Sequence, residues 1–101
     1  MSHRLRYLPA AEDDIRGIAR YIATHAASRE IGTNFAVRLH DKCARIAELP
    51  GNIGTPRPEI LPGLRSTPFQ SYVIFFRYRD GDVEIVNVLH ASRDAEAQFH
   101  G

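Results

Sequence analysis

The sequence predicts an α+β fold: a two-layer sandwich in the order β-α-α-β-β-β, with a helical hairpin packed on a small, mainly antiparallel sheet. Three observations carry this expectation. Two consecutive segments repeat apolar residues at three- and four-residue spacing, two later runs of β-branched and aromatic residues flank Asp80-Gly81, and a proline-rich stretch separates the halves. Helices followed by strands segregate into two layers, whereas alternating helices and strands would give a parallel sheet.

Each element has a local cause. Residues 4–8, Arg-Leu-Arg-Tyr-Leu, alternate polar and apolar side chains, the two-residue period of a half-buried strand. Pro9 suits the first turn of a helix, where its missing N–H is not needed, and Glu12, Asp13 and Asp14 complement the positive end of the helix dipole. Ala11, Ile15, Ile18 and Ile22 then form one apolar stripe on a helix ending near His25. After a short connection, Ile31, Phe35, Leu39, Cys43, Ile46 and Leu49 repeat the helical spacing, with Arg38, Asp41, Lys42, Arg45 and Glu48 on the other side, so the second helix folds back on the first.

Five of the six prolines fall between Pro50 and Pro68, which ends the helix and favours a stiff, extended connector. A strand over residues 64–67 is expected to pair with the first arm of a hairpin formed by residues 72–78 and 83–89 around Asp80-Gly81. A final helical turn is expected after Ser92.

At 101 residues, 44% hydrophobic and 25% charged, the chain is expected to form a single domain over residues 1–101. The lone Cys43 excludes an internal disulfide and reads as a small buried hydrophobe; the ligand-type residues lack zinc spacing, and neither metal nor cofactor is expected. With no long apolar run, a membrane partner is not expected and a cytoplasmic location is. A net charge of +1 is too small for a general nucleic-acid footprint, so direct DNA binding by this chain alone is not expected. Twelve of its thirteen basic residues are Arg. Four lie between Arg57 and Arg79 against one acid, Glu59, so an anionic partner would be met there.

Tyr21-Ile22 on the first helix, Leu49-Pro50 closing the second, Pro62-Gly63-Leu64-Arg65, Tyr72-Val73-Ile74-Phe75-Phe76 and Val88-Leu89-His90-Ala91-Ser92-Arg93-Asp94 follow one another in an order and spacing that resembles the ParE branch of the ParE/RelE toxin superfamily. The resemblance spans nearly the whole chain. It implies the toxin of a type II toxin-antitoxin system, of the plasmid stabilisation kind, neutralised by a ParD-like antitoxin whose own N-terminal half binds operator DNA. ParE-like members typically trap DNA gyrase on cleaved DNA. RelE-like members typically cut mRNA in the ribosomal decoding site, so fold alone leaves the chemistry open. Two departures stand out: Leu8 occupies a helix-cap position where such proteins often carry Ser, and Asn87 replaces an expected basic residue in the last strand.

A ribonuclease needs an acid, a base and cations around a phosphorane. Arg65, Arg77 and His90, with Arg93 and Tyr72, supply those residue types from three strands and the following tail, and they are the candidates for contact with the target. His90 alone exchanges a proton readily near neutrality. The alternative is that Arg65 and Arg77 are sheet-face arginines paired with Glu59 or Glu84, that His90 merely ends a strand, and that Arg93 pairs with Asp94. No complete catalytic set emerges, and the low net charge fits a protein target better than anionic ribosomal RNA. The reading is therefore a non-enzymatic gyrase inhibitor, with a ribosome-dependent mRNA endoribonuclease as one alternative and a degenerate, non-toxic antitoxin-binding homologue as another. Tyr21, Phe35 and Phe69 are the antitoxin-binding candidates, although aromatic residues at helical spacing, Phe35 above all, are more often core.

Overall fold

A computed structural model describes residues 3–93 and 95–100. The elements are β1 (Arg4–Tyr7), α1 (Pro9–Ala26), α2 (Arg29–Glu48), β2 (Thr55–Pro56), β3 (Arg65–Phe69), β4 (Tyr72–Arg79), β5 (Asp82–His90) and α3 (Ala95–His100). They form one five-stranded sheet in the order β1-β5-β4-β3-β2, antiparallel throughout except for the parallel pair β1 and β5. The helical hairpin carries the chain from β1 to β2 at the opposite edge, and β3 and β4 bring it back so that β5 lies parallel beside β1. The expected α+β sandwich is present, with one strand more than the sequence indicated. Two residues of the proline-rich connector, Thr55 and Pro56, pair with Ser66 and Arg65 at the sheet edge, where proline's missing donor is harmless.

The helical hairpin is fixed by its bend. Ala27 takes a left-handed conformation (φ 52°) while the Ser28 N–H donates to the Ala23 carbonyl at 2.9 Å. The Ser28 hydroxyl then caps α2 by accepting the Ile31 N–H at 3.2 Å. Just beyond it the helices touch at Gly32, where a Cβ would collide with the Ala19 carbonyl oxygen and lie 2.8 Å from the Ala23 Cβ. This contact corrects one expectation. Gly32 takes the inward position at the start of α2, and Ile31, assigned to the apolar stripe by spacing, is rotated to solvent and 51% exposed.

From Phe35 to Ile46 the stripe holds, whereas Leu49 is the extended residue that ends α2 and is only half-buried. Ala11 and Ile15 of α1 meet Phe35, Leu39, Cys43 and Ile46 of α2 over Ile74, Phe76, Val83, Ile85 and Val88 of the sheet. A second cluster, not foreseen, covers part of the opposite face: Ile60 and Leu64 from the connector pack on Phe75, Val86 and Leu89, with Phe99 of α3 edge-on to Phe75 at 5.4 Å. Leu8 belongs to this cluster, which explains its departure from Ser: the N-cap position of α1 makes no side-chain hydrogen bond, and the side chain is partly buried among apolar neighbours instead. Asp80 (φ 51°) and Gly81 (φ 82°) form the two-residue turn between β4 and β5, with the positive φ at both positions that a type I′ hairpin requires. Among the described residues no helix is long and apolar enough to cross a membrane.

Gly32→Ala is expected to lower stability by about 1–3 kcal/mol in denaturant unfolding, because overpacking outweighs alanine's better helix propensity. Gly17→Ala, an exposed α1 position with open space around the missing Cβ, is the control and should stabilise by up to about 1 kcal/mol.

Candidate functional site

β1 and β5 differ in length, and the site arises from that difference. β1 accompanies β5 only as far as the pair Tyr7 and Ile85. Past that point α1 flanks the open edge of β5, and one oxygen of Asp14 accepts both the Val88 N–H and the Asn87 side-chain amide, each at 2.9 Å. The carboxylate takes the place of the missing strand. Asn87 thus has a defined task, and its neutral amide matches an acceptor that already serves a backbone donor. In the sequence Asp14 is marked only as an acid at the start of α1; no local pattern shows that it reaches a strand 74 residues away.

Beyond Asp14 the two elements diverge and leave an open cleft of about 600 Å³. Asp13, Asp14, Gly17 and Tyr21 of α1 form one wall, and Tyr72, His90, Ser92, Arg93 and Gln98 contribute from the sheet end and α3. Of the candidates read from sequence, the fold brings together Tyr21, Tyr72, His90 and Arg93. An aromatic chain links them to the hairpin: Phe69 and Tyr72 each meet Phe35 edge-on, at 5.6 and 5.7 Å, and Tyr72 meets His90 at 5.3 Å. Phe35 is buried, Phe69 half-buried and Tyr21 57% exposed. Burial, with Tyr21 adding to it, raises the Tyr72 phenol above its ordinary value, so it stays a protonated donor.

His90 is exposed, but its Nδ1 accepts the Ser92 backbone N–H at 3.1 Å and lies 2.7 Å from the Ser92 hydroxyl. The neutral ring therefore carries its proton on Nε2, with its lone pair already engaged. Arg93 donates to the Gln98 side-chain carbonyl at 3.3 Å; Asp94, its expected partner, lies outside the described residues.

Arg65 and Arg77 do not join the cleft. The Arg65 guanidinium is held by the carbonyls of Ile53 at 2.6 Å and Gly54 at 3.1 Å, tying the connector to β3. Arg77 lies on the sheet face opposite the helices, where its Nε donates to Glu84 at 2.7 Å. It is part of a regular array. On that face, strand register aligns Arg4, Asp82 and Arg79 in one row and Arg6, Glu84 and Arg77 in the next. Asp82 and Glu84 are buried between the arginines, with Arg4 at 2.9 Å from Asp82 and Arg6 at 3.3 Å from Glu84. The Arg77 hydrogen bond, aided by the Arg77, Arg6 and Arg79 charges, holds the Glu84 carboxyl below its usual range in spite of its burial.

Cys43 is fully buried and its thiol is pushed up to about 11 by burial, so it carries no nucleophilic thiolate at neutral pH. Among the described residues no group of three His, Cys, Asp or Glu side chains could hold a metal ion.

A family model described as ParE toxin of type II toxin-antitoxin system, parDE, matches residues 5–95. The fold is similar to a solved structure of the chromosomal ParDE TA system from P. aeruginosa, with a TM-score of 0.74 and 16% sequence identity over 88% of this chain and 96% of that chain. No curated protein matches the chain.

Asp14→Ala should cost about 1–3 kcal/mol, the penalty for leaving a partly buried backbone donor unpaired, read as a shift in urea midpoint. For Glu84 the sign follows from its lowered folded-state pKa: its contribution is complete above the pKa of an unfolded glutamate and is lost as pH falls through the folded value. Glu84→Gln is therefore expected to be less stable than the parent at neutral pH, with the gap narrowing in acid. A gap that stays constant with pH would show that the carboxylate charge is irrelevant.

Proposed function

From the premise that this chain belongs to the ParE toxin family, and is the toxin of a type II toxin-antitoxin system, we propose that it is a DNA gyrase poison restrained by a ParD-like antitoxin. The observation that carries the choice of target is the composition of the cleft. Tyr72, His90 and Arg93 stand together at the sheet end of an open concavity beside α1, residue types suited to anchoring a protein partner. The groups that a ribonuclease would need are dispersed or engaged. Arg65 is bound by connector carbonyls, Arg77 by Glu84 on the opposite face, and the lone pair of the neutral His90 ring by Ser92. A net charge of +1 supports the same preference over ribosomal RNA.

On this reading Tyr72, His90 and Arg93 meet gyrase, while Arg65 acts through the connector it holds and Arg77 through the sheet. The antitoxin covers the hairpin side around Tyr21 and Phe69, with the buried Phe35 packed edge-on against Phe69. A large exposed tyrosine beside half-buried aromatics suits an apolar helix laid along that side. The location in which toxin, antitoxin and gyrase would meet is the cytoplasm.

The purified toxin, added to gyrase, ATP and relaxed plasmid, is expected to block supercoiling and leave cleaved DNA trapped on the enzyme, and equimolar ParD-like antitoxin should restore supercoiling. Tyr72→Ala and Arg93→Ala should each raise the concentration for half-inhibition by about tenfold or more, as loss of an interface anchor does. Normal supercoiling at toxin excess, with codon-specific cuts in mRNA from toxin-expressing cells, would transfer the assignment to the endoribonuclease. Normal supercoiling with unimpaired growth would indicate a homologue that only binds its antitoxin.

A further inference from the structure

The arginine array has a regularity that the cleft does not explain. Across three strands its rows read cation, anion, cation: Arg4, Asp82, Arg79 and Arg6, Glu84, Arg77. Both rows begin with a cation at the edge strand β1, where the side chains of Arg4 and Arg6 are 83% and 59% exposed. Asp82 pairs with Arg4 and Arg6, and Glu84 with Arg6 and Arg77, while Arg79 adds its charge without an ion pair, so three arginines share two buried carboxylates and a surplus of positive charge lies toward the edge. Arg4 uses its Nε on Asp82 and Arg6 its Nη1 on Asp82 and Glu84, which orients the remaining guanidinium N–H groups without consuming them.

The backbone of the same edge is open. In the parallel pairing the Arg4 N–H donates to the Gly81 carbonyl and the Leu8 N–H to the Ile85 carbonyl, so even-numbered residues of β1 face β5. Leu5 and Tyr7 turn their N–H and C=O groups the other way, where no described strand pairs with them. At the start of this edge the His3 N–H, which points the same way, is taken by the Ala47 carbonyl, so the open stretch begins at Leu5.

We infer that the β1 edge is a docking site for an extended acidic segment of a partner protein, which adds as a sixth strand and places carboxylates from two alternate residues beside Arg4 and Arg6. The charge order then continues outward as anion, cation, anion, cation, and the two-residue repeat of the incoming strand matches that of the arginines. The backbone bonds of Leu5 and Tyr7 supply the pairing, and the positive charges of Arg4 and Arg6 select carboxylates. A second copy of this chain is excluded by charge, since two β1 edges set against each other oppose arginine to arginine. A nucleic-acid strand is the poorer occupant, because the surplus charge is small, Asp80 stands exposed at the adjoining turn, and a phosphate chain cannot pair with Leu5 and Tyr7. The inference is independent of gyrase as the target.

Fluorescence anisotropy with the full chain tests it, using a labelled peptide of alternating Glu and Val, the corresponding Lys and Val peptide, and single-stranded DNA of equal charge. The Glu peptide is expected to bind saturably, more weakly as salt rises, and to slow amide hydrogen exchange at Leu5 and Tyr7. The Lys peptide should not bind. The double variant Arg4→Gln, Arg6→Gln should weaken binding by up to about tenfold, the sum of two exposed ion pairs. Arg4→Lys with Arg6→Lys, which keeps the charge and the support of Asp82, should retain most of it and guards against loss of folding in the first variant. Equal binding of both peptides, binding without protection of Leu5 and Tyr7, or tighter binding of DNA that is lost in the Gln variant would each overturn the assignment.

Discussion

The central strand β5 must satisfy backbone donors and acceptors along both of its edges, and most features of this protein follow from how unevenly it does so. On one side β4 accompanies it from the Asp80-Gly81 turn to the pair Tyr72 and His90. On the other, β1 covers only residues 82–85, and the Val88 N–H is satisfied by Asp14 from a helix. A buried donor without a partner costs as much as a lost hydrogen bond or more, so α1 is held against the strand at that point. It can part from the strand beyond it. The cleft is the space left by that parting, bounded by whatever side chains α1 and the end of β5 present there.

Strand alternation divides the chemistry of the molecule between two faces. Leu5, Tyr7, Phe76, Tyr78, Val83 and Ile85 turn toward the helices and build the main core, so their sequence neighbours Arg4, Arg6, Arg77, Arg79, Asp82 and Glu84 are forced onto the opposite face. The charged array is a by-product of register. Its acids lie in the central strand and its cations on both flanks, an arrangement in which each buried carboxylate is paired with two guanidinium groups. The rest of that face is closed by Ile60, Leu64 and Phe99, which lets so short a chain bury both sides of part of its sheet.

The hairpin, the proline-rich break and the Asp80-Gly81 turn were legible because each depends on neighbours close in sequence. Ser28 caps α2, Asp80 and Gly81 supply the positive φ their turn requires, and the apolar stripes have the helical period. Ile31 is instructive as an exception. Periodicity placed it inside, but a helix contact tight enough to admit only Gly32 rotated the first turn of α2, and no pattern within α2 contains that information. The candidate residues divide in the same way. Tyr21, Tyr72, His90 and Arg93 meet in the cleft, whereas Arg65 and Arg77 were singled out by residue type and proved to be engaged elsewhere.

By itself, then, the sequence determined the element order, the helical hairpin, the class of fold and the family resemblance, since local periodicity, turn chemistry and motif order are written in consecutive residues. The tertiary structure alone decided that Asp14 completes a strand, that Asn87 serves this carboxylate, that a second apolar cluster accounts for Leu8, and that three arginines from two strands share two buried acids. Those outcomes depend on strand register and on contacts between residues some seventy positions apart, and one residue of slip would invert every face on which they rest.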